Sequence, residues 1–503
     1  MASLISLPNE LLEFVTSHLG FQDKVNLIKT CRTTRVAITP GLYRALVIDM
    51  KASETDHQVE GSIRRLPLVN KLLSTFMKNV DLARNVRSLQ VRTFYTTLAN
   101  VDLSEWEAQA YSQLVEKRCP LLKAHWDEAI STKCISSAVL SLLLLHCPRL
   151  ERLMIPGHLL TIGGWLQQLL LSLSFDNNSV LLRNLSTIKI WSRETMDSGL
   201  LKAVSEWLVP LPSLQTIVMS VEEDHVSPSR HLKVTCAEGA TPGTLSTLRI
   251  LRTGVQYSSI VEVLKHTPCL STLVVDTFVS AAVPPDNLSD LQAGLGLLKT
   301  TLTHFVLRIE KYKEPDDWSP YYNEAFDRGE GLGSLRGFTA LTTLEIALIA
   351  LVGHQNEVWS TDPPNLAEYL PPNLRCLTLS DDLWDDESFH PISALPTMAV
   401  LKRFLVGERL VGSWHRSGPM EDYEWAQSEH PPWTIHTPHF AQLNFDIDNG
   451  DGCNSNYFWK DLDACEALQT MCESQGIRCS IRRKLTETPT ITRPPPLSWS
   501  WVD

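Results

Sequence analysis

A spaced apolar pattern recurs along most of this 503-residue chain and constrains its fold more than any other feature. Each copy reads apolar-x-x-apolar-x-apolar, as in Leu150-Leu153-Ile155, and from that copy onward successive starts lie 25 to 39 residues apart. A single copy is common by chance, whereas a sustained series is typical of repeat architectures. The copies begin at Val86, Leu150, Leu185, Leu214, Leu245, Leu270, Leu302, Leu341, Leu374, Leu401 and Phe440.

The last three positions of each copy alternate as in a strand with one buried face. Helix-like apolar patterns lie between the copies, and such short units bury their apolar faces only by stacking on their neighbours. The series therefore predicts an α/β solenoid, with parallel strands on one face and helices on the other. Helices are predicted at residues 135–145, 200–208, 260–264, 288–298 and 366–370, followed by a last helix at 462–472 and a strand at 477–481.

The alternation also predicts which side chains point away from the core and line a concave sheet surface. Several of them are basic, but they are too scattered in sequence to establish a basic patch that would favour phosphorylated targets. The predicted surface positions are Arg152, Met154, Lys189, Val218, Arg249, Val274, Arg308, Glu345 and Thr378.

The composition restricts the possible partners of the chain. With 45 Lys+Arg against 57 Asp+Glu, the net charge of −12 argues against a nucleic-acid binder, which needs a basic face. No apolar run approaches the length of a membrane span, and the N-terminus lacks a basic signal region. Eleven scattered cysteines fit buried thiols in a reducing compartment. We therefore expect a protein of the cytoplasm, the nucleus or both, with no nucleic-acid or membrane partner.

The spacing of apolar residues in the first fifty positions differs from that in the repeats and predicts three short helices. Leu11, Leu12, Val15 and Leu19 have helical spacing, and Gly20 is expected to close the first helix. Asp23 is expected to cap the second helix, and the pair at positions 40 and 41 (Pro-Gly) to end the third. A core this small leaves apolar side chains exposed to solvent, and their exposure favours binding to a partner protein.

These residues resemble an F-box. The similarity runs through Leu7-Pro8-x-Glu10-Leu11-Leu12, Val15, Leu19, Asp23, Leu27, Cys31-Arg32 and Leu42-Tyr43, over about 40 residues. The repeat region, residues 81–481, resembles leucine-rich repeats, although the usual Asn or Cys is mostly absent and the repeats exceed the usual 20–29 residues. An F-box followed by degenerate leucine-rich repeats is typical of fungal substrate receptors of SCF-type ubiquitin ligases.

The resemblance implies a non-catalytic, cofactor-free subunit that binds a Skp-type adaptor and, through it, a cullin. The solenoid would bind an unknown protein substrate. Lys24, at a usually apolar position, and Thr34, often Trp in the family, depart from the motif and would weaken adaptor binding. The implied domains are residues 1–50 (F-box), 51–80 (connecting segment), 81–481 (solenoid) and 482–503 (tail with Pro and Trp). The implied adaptor-binding residues are Leu7, Pro8, Leu11, Leu12, Val15, Leu19, Leu27, Ile28, Leu42 and Tyr43.

Motifs for catalysis or metal binding are weak or missing. The chain has no nucleophile elbow or Walker pattern, and the cluster Gly329, Gly331, Gly333 and Gly337 lacks dinucleotide spacing, which favours a flexible loop between repeats. The segment 446–452 (Asp-Ile-Asp-Asn-Gly-Asp-Gly) lacks the final glutamate of a calcium loop and is better explained as a turn. Neither a catalytic residue nor a metal ligand is predicted.

For the other clusters we favour a structural explanation over a functional one. Pro residues flank His436 and His439, so these are predicted to lie in a loop, and the seven-residue spacing of Cys465, Cys472 and Cys479 favours core thiols over a zinc site. The acidic stretch around Trp384 (Asp381, Asp382, Asp385, Asp386) is predicted to be a solvated loop, with a recognition loop as the alternative. Trp191 and the pair Glu222 and Glu223 follow their strands in a similar way.

The sequence is also compatible with two alternative functions. One keeps the fold but omits the ligase, leaving a scaffold that binds the adaptor without a cullin. The other is a hydrolase or transferase whose site is assembled from distant residues.

Overall fold

The computed structural model of the chain divides into two compact units. The first comprises Met1–Leu251 and Glu262–Leu270, and the second comprises Arg252–Val261 and Ser271–Asp503. The structure describes residues 8–49, 67–92, 105–118, 120–132, 135–161, 165–166, 169–170, 182–192, 198–221, 244–253, 257–279, 288–311, 331–353, 368–380, 442–449, 469–470, 472–473 and 476–485.

Three short helices open the first unit, as predicted, but two of their boundaries differ from the prediction. They are α1 (Asn9–Ser17), α2 (Phe21–Ile28) and α3 (Arg32–Arg44). Gly20 does not close α1 in the left-handed region; its φ of −61° and ψ of 162° are extended, and it is the N-cap of α2. Asp23 therefore lies in the first turn of α2, where its charge complements the helix dipole.

The prediction that Pro40 and Gly41 end the third helix is wrong. Both lie inside α3, which continues to Arg44. Proline removes one backbone N–H from the helical ladder. Packing supports the helix on both sides of it, because Ile38 is buried and the Tyr43 ring lies 6.0 Å from the ring of Phe76.

The segment predicted as a connection, residues 51–80, contains a helix of the core. In α4 (Pro67–Lys78), Val69, Leu73 and Phe76 form one buried stripe at helical spacing. This helix packs against α8 (Ile135–His146), which confirms the helix predicted at 135–145. Residues 138–147 are all buried, as expected of a helix that is apolar on every side.

Three more of the predicted helical segments are confirmed, and several helices were not predicted. Residues 198–208 form α10 (Ser198–Ala203) and a π-helical turn (Val204–Leu208), and the segments at 260–264 and 288–298 are also helical as predicted. Of 366–370 the structure describes 368–370, which form a turn. The remaining helices are α5 (Val80–Arg84), α6 (Glu105–Arg118), α7 (Lys123–Thr132), α9 (His158–Thr161), α11 (Tyr257–Lys265), α12 (Leu288–Leu295) and α13 (Leu348–Val352), with 3-10 turns at Pro120–Leu122 and Gly296–Leu298.

The strands of the first unit pair in parallel and in the order of the chain. One face, here called the core face, carries a row of fully buried side chains in register: Leu89, Leu153, Ile188, Ile217 and Leu248. The alternate residues form the second face. The strands are β1 (Ala45–Asp49), β2 (Ser88–Arg92), β3 (Arg152–Pro156), β4 (Thr187–Ser192), β5 (Thr216–Val221) and β6 (Thr247–Thr253).

The second unit repeats this arrangement with six parallel strands, again paired in chain order. The last of them runs to Leu485, four residues into the predicted tail, and its Arg482–Leu485 end pairs with Asp446–Asn449. The strands are β7 (Thr272–Val279), β8 (His304–Lys311), β9 (Thr343–Ala347), β10 (Cys376–Ser380), β11 (Gln442–Asn449) and β12 (Arg478–Leu485).

The repeats that begin β3 to β6 and β8 to β10 are joined to the preceding repeat by the same hydrogen bonds. Two consecutive N–H groups donate to one carbonyl: those of Ser186 and Thr187 to Glu151, and those of Gln215 and Thr216 to Ser186. The same pairing holds in the second unit, where the N–H groups of Thr342 and Thr343 donate to Thr303. The loose sequence period thus corresponds to a regular backbone unit.

The first leucine of a copy closes a tight turn that enters the strand. The N–H of Leu150 donates to Cys147, that of Leu214 to Leu211 and that of Leu270 to Thr267. Proline occupies the second position of these turns, where its fixed φ is favoured. The leucine side chains are fully buried, so each repeat begins at an apolar anchor.

Ten of the eleven predicted copies coincide with β2 to β11, which confirms the pattern in the described chain. The copy at Leu401 lies outside the described residues, and β10 pairs directly with β11. The strand predicted at 477–481 is confirmed by β12, whereas most of the helix predicted at 462–472 lies outside the described residues.

Candidate interaction surfaces

The three N-terminal helices enclose a very small core. Leu12 of α1 packs with Ala37 and Ile38 of α3, and Leu27 and Ile28 of α2 cover this cluster. Leu12 is fully buried, whereas its neighbour Leu11 is half exposed. The helices therefore bury only a few large side chains and leave other apolar groups outside.

Polar contacts fix the turn between α2 and α3. The buried Thr34 hydroxyl donates to the carbonyl of Leu27 at 2.9 Å, and the backbone N–H of Thr34 donates to the Cys31 sulfur at 3.4 Å. That N–H lowers the pKa of the Cys31 thiol, which acts as the N-cap of α3. Thr34, predicted as a departure from the F-box motif, is thus part of the local core.

An apolar surface lies on α1. Leu11, Phe14 and Val15 are 50%, 65% and 41% exposed, and their spacing of three and four residues places them on one side of the helix. Phe14 packs edge-on against His18, with ring centroids 5.1 Å apart. We call these three residues the α1 apolar surface. Phe14 was not among the predicted site residues, although its spacing from Leu11 could have identified it.

The structure separates the ten predicted adaptor-binding residues into different environments. Pro8, Leu11 and Val15 are exposed, Leu12 is core, and Leu19, Leu27, Ile28, Leu42 and Tyr43 are half-buried. Leu7 lies outside the described residues. Val36 on α3, 63% exposed, is a further apolar residue that the motif did not single out.

The second face of the first unit carries basic and threonine side chains on β3 to β6, beside buried apolar residues such as Met154 and Trp191. In one row, Arg152 lies in register with Thr187, Thr216 and Thr247; in the next, Lys189 lies in register with Val218 and Arg249. Arg249 is exposed, and Arg152 and Lys189 are half-buried. Among the described side chains on this face of β2 to β6, none is acidic. We call Arg152, Lys189 and Arg249 the basic cluster.

The members of the basic cluster interact electrostatically. Partial burial lowers the pKa of Lys189, and the positive charges of Arg249 and Arg152 lower it further. The ammonium form of Lys189 is therefore less favourable in the folded chain than in the unfolded one. Residues that looked scattered in sequence thus converge on one surface.

We expect Lys189→Met to stabilise the protein most at pH values below the lowered pKa of Lys189, where the wild-type side chain is charged in both the folded and the unfolded chain. Because the folded-state pKa is lowered, the unfolded chain binds more protons between that pKa and the usual value of 10.5, so wild-type stability rises with pH in that window. The advantage of the variant should shrink from pH 7 towards pH 10.5. Urea unfolding midpoints measure this difference. Lys117→Met, at an exposed position of α6, is the control for loss of a lysine. A constant advantage at all pH values would contradict the electrostatic explanation.

Other predicted surface positions are not available for binding. Met154, Val274 and Thr378 occupy the second face as predicted by alternation but are buried. Arg308 donates from Nε to Glu345 at 2.5 Å, so its charge is compensated within the sheet. Asp276 lies opposite Arg308 in the strand register. The second unit therefore does not repeat the basic cluster.

Trp191 is a buried structural residue on the second face. Its indole N–H donates to the carbonyl of Val91 at 3.4 Å, across the end of β3. In the parallel ladder this carbonyl would accept from residue 156, but Pro156 has no N–H. The tryptophan thus supplies the hydrogen bond that the strand cannot. The hypothesis that Trp191 is a surface recognition residue is wrong.

Only some residues of the weaker motifs lie within the described ranges. Residues 446–449 form the end of β11 and pair with β12, so the prediction of a turn is wrong for these four residues, and residues 450–452 lie outside the described ranges. His436, His439, Cys465, Trp384 with its aspartates, Glu222 and Glu223 lie outside the described residues. Gly331 and Gly333 lie in a segment fixed by hydrogen bonds from Leu332 to Ala350 and from Gly333 to Leu351, and so do not form a flexible loop.

Cys472 and Cys479 lie together at the entry to β12. Cys472 is fully buried, and a hydrogen bond with the side chain of Cys479 lowers its pKa. No group of three metal-ligating side chains is found within the described ranges. Likewise, none of the described helices has the length and apolarity needed to cross a membrane.

A comparison with the models of known protein families and with curated proteins found no match to this sequence. The α/β fold class therefore depends on the parallel strands and helices described above. The F-box and leucine-rich-repeat resemblances remain predictions from the motif residues.

Proposed function

We propose that the N-terminal helices are an F-box and that the protein is the substrate-recognition subunit of an SCF-type ubiquitin ligase. The observation that carries the proposal is the α1 apolar surface, which lies outside the core formed by Leu12, Ala37 and Ile38. Clustered exposed apolar side chains are typical of protein–protein contact sites. The adaptor contact would bury Leu11, Phe14 and Val15.

Burial of the α1 apolar surface against a partner protein would be energetically favourable. Each large apolar side chain contributes about 1.5–3 kcal/mol when it passes from water to a buried site. Phe14 and Leu11 lie close enough to act as a joint anchor, the arrangement that concentrates binding energy at interfaces. Lys24, which departs from the F-box motif, is half-buried on α2 and does not belong to the α1 apolar surface.

The repeated strands support the second half of the proposal, a leucine-rich-repeat-like solenoid that presents a protein target. Buried leucine anchors and carbonyls shared between repeats give each unit a regular parallel sheet. The ligase subunit would act by proximity, without a cofactor, while other subunits perform the chemistry. The cytoplasm and the nucleus are the proposed locations.

Co-purification with a Skp-type adaptor tests the proposal. Leu12→Asp is unsuitable because Leu12 is core, and its loss would unfold the helices. The double variant Leu11→Asp and Phe14→Asp changes exposed residues only. We expect it to lower adaptor recovery by at least about tenfold while the circular dichroism spectrum stays unchanged.

The matched control is Gln22→Asp, which adds an acidic residue at an exposed position in the first turn of α2. It should leave adaptor recovery intact. Equal recovery of adaptor with wild type and the double variant would overturn the F-box proposal. Recovery of cullin with the wild-type complex supports the ligase, whereas adaptor without cullin would favour the scaffold.

A further inference from the structure

Two cysteine side chains contact each other in the second unit, where a helical segment leads into β12. Residues 469–470 and 472–473 are helical, and Cys479 is the second residue of β12. Both Cys472 and Cys479 carry thiols, and a hydrogen bond joins their side chains. The two sulfur atoms are therefore in direct contact, which is a precondition for forming a disulfide without backbone movement.

The turn between the two cysteines holds them in this position. The N–H of Ile477 donates to the Cys472 carbonyl and that of Gly476 to the Glu473 carbonyl, both at 2.9 Å. These two hydrogen bonds form the Schellman motif that ends a helix, and Gly476 has the left-handed φ of 73° that the motif requires. On the other side, Cys479 is held by the pairing of β12 with β11. Backbone hydrogen bonds thus fix both cysteines.

The two thiols differ in their access to solvent and from other buried cysteines. Cys472 is fully buried, whereas Cys479 is half-buried and can be reached by a small solute. Cys147 is as buried as Cys472, and burial raises the pKa of its thiol to about 12. The hydrogen bond with Cys479 instead lowers the pKa of Cys472, against the opposing effect of burial. Because the thiolate is the reactive form, Cys147 is inert and Cys472 is not.

We infer that Cys472 and Cys479 form a redox-modification site that a low-molecular-weight disulfide, such as oxidised glutathione, converts to a protein disulfide. In the first step the Cys479 thiolate attacks one sulfur of the oxidant, forms a mixed disulfide and releases one glutathione thiolate. In the second step the Cys472 thiolate attacks the Cys479 sulfur, forms the intramolecular bond and releases the second glutathione. The two thiol protons pass to the released thiolates, so the protein loses two electrons and the oxidant gains two.

The disulfide would close the short loop 472–479, which joins the helical segment to the last described strand. Segments at the end of a domain open locally at low free energy. A cross-link keeps the ends of the loop together when the segment opens, so oxidation stabilises this part of the second unit. In the reducing compartment proposed for the protein, the bond forms only when oxidised glutathione accumulates, and reduction reverses it.

The test incubates the full-length protein with oxidised or reduced glutathione, blocks the remaining thiols and identifies tryptic peptides by mass spectrometry. Trypsin cleaves after Arg478, so Cys472 and Cys479 fall on different peptides that stay together only through a disulfide. The linked peptides should be at least about tenfold more abundant after treatment with oxidised glutathione. Cys465 shares a peptide with Cys472, and fragmentation that assigns the bond to Cys465 would overturn the inference.

Single variants test the order of the two steps. In Cys472→Ser the second thiolate is missing, so a glutathione adduct should persist on Cys479. In Cys479→Ser the buried Cys472 should stay unmodified by glutathione. Cys269→Ser, at an exposed position, is the matched control and should leave the linked peptides unchanged. Circular dichroism verifies that the variants are folded, and a glutathione adduct that persists on Cys479 of the wild-type protein would contradict the second step.

Hydrogen exchange measures the effect of the disulfide on the structure. The amides of residues 476–482 should exchange at least about tenfold more slowly in the oxidised than in the reduced wild-type protein. Exchange in Cys479→Ser should not respond to oxidised glutathione, because no cross-link can form. Equal exchange rates in the oxidised and reduced wild-type protein would overturn the stabilising role of the disulfide.

Discussion

Replacing Trp191 by alanine is expected to lower the free energy of unfolding by about 3–5 kcal/mol, the usual cost of truncating a large buried aromatic residue. Trp191 is only 5% exposed, and it lies in register with Pro156, beside the end of β3. Alanine would leave a cavity there and would also remove the donor to the Val91 carbonyl. Urea unfolding followed by circular dichroism measures the change.

Trp191→Phe separates the two contributions. Phenylalanine keeps most of the apolar volume but cannot donate to Val91, so its cost should be about 1–2 kcal/mol, as expected for a buried acceptor left unsatisfied. The control is Trp106→Ala on α6, where the side chain is 57% exposed and lies 5.9 Å from the Lys78 ammonium. Trp106→Ala should change stability by less than about 1 kcal/mol.

A recognition role for Trp191 would give the opposite result. An exposed anchor loses binding when truncated while the fold keeps its stability. If Trp191→Ala unfolds at the wild-type urea concentration, the hydrogen bond across β3 does not stabilise the sheet and the structural role is wrong.

The core face was predictable from sequence because its signal is local. The spacing of Leu150, Leu153 and Ile155 specifies a turn and a strand with one buried face, and each later copy adds the same information. The parallel order follows because consecutive strand–helix units stack on their neighbours. The pattern does not specify the shared carbonyls, which depend on the exact register between repeats.

The second face was not predictable in the same way. Its properties depend on which residues of different repeats become neighbours, and the spacing between copies varies too much to give that register. Arg152, Lys189 and Arg249 converge only once β3 to β6 are aligned. Alternation identified Met154 as facing away from the core but could not show that it is covered.

The N-terminal helices show a similar division. Helical spacing predicted α1 but did not distinguish Leu11 from Leu12, and both were predicted to bind the adaptor. Only the position of Ala37 and Ile38 on α3 shows that Leu12 points into the core and Leu11 does not. The candidate adaptor surface therefore needed the packing of α1 on α3, which no local pattern encodes.

Replacing Gly331 by alanine is expected to destabilise the second unit by about 3 kcal/mol or more, the upper range for overpacking. A Cβ atom at this position would lie 2.2 Å from the Gly353 nitrogen, 2.5 Å from the Val352 carbonyl carbon and 2.7 Å from the Leu351 oxygen. All three are backbone atoms, so no side-chain rotation can relieve the clash.

The surrounding contacts prevent the segment from moving away. The N–H of Leu332 donates to Ala350 at 2.7 Å, and that of Gly333 donates to Leu351 at 3.0 Å. Leu332 is also fully buried, so displacing the chain would break both hydrogen bonds and expose an apolar side chain. The close approach of the two backbone segments explains the glycine at position 331.

Gly296→Ala is the matched control for Gly331→Ala. It lies in the 3-10 turn after α12, and a Cβ there meets no atom within 4 Å. This substitution should raise stability by about 0.4–1 kcal/mol, because alanine has fewer conformations to lose on folding. Unfolding midpoints of the two variants should therefore move in opposite directions. A Gly331→Ala protein as stable as wild type would show that the 331–335 segment is not held against α13, since only a segment free to shift can accept the added methyl group.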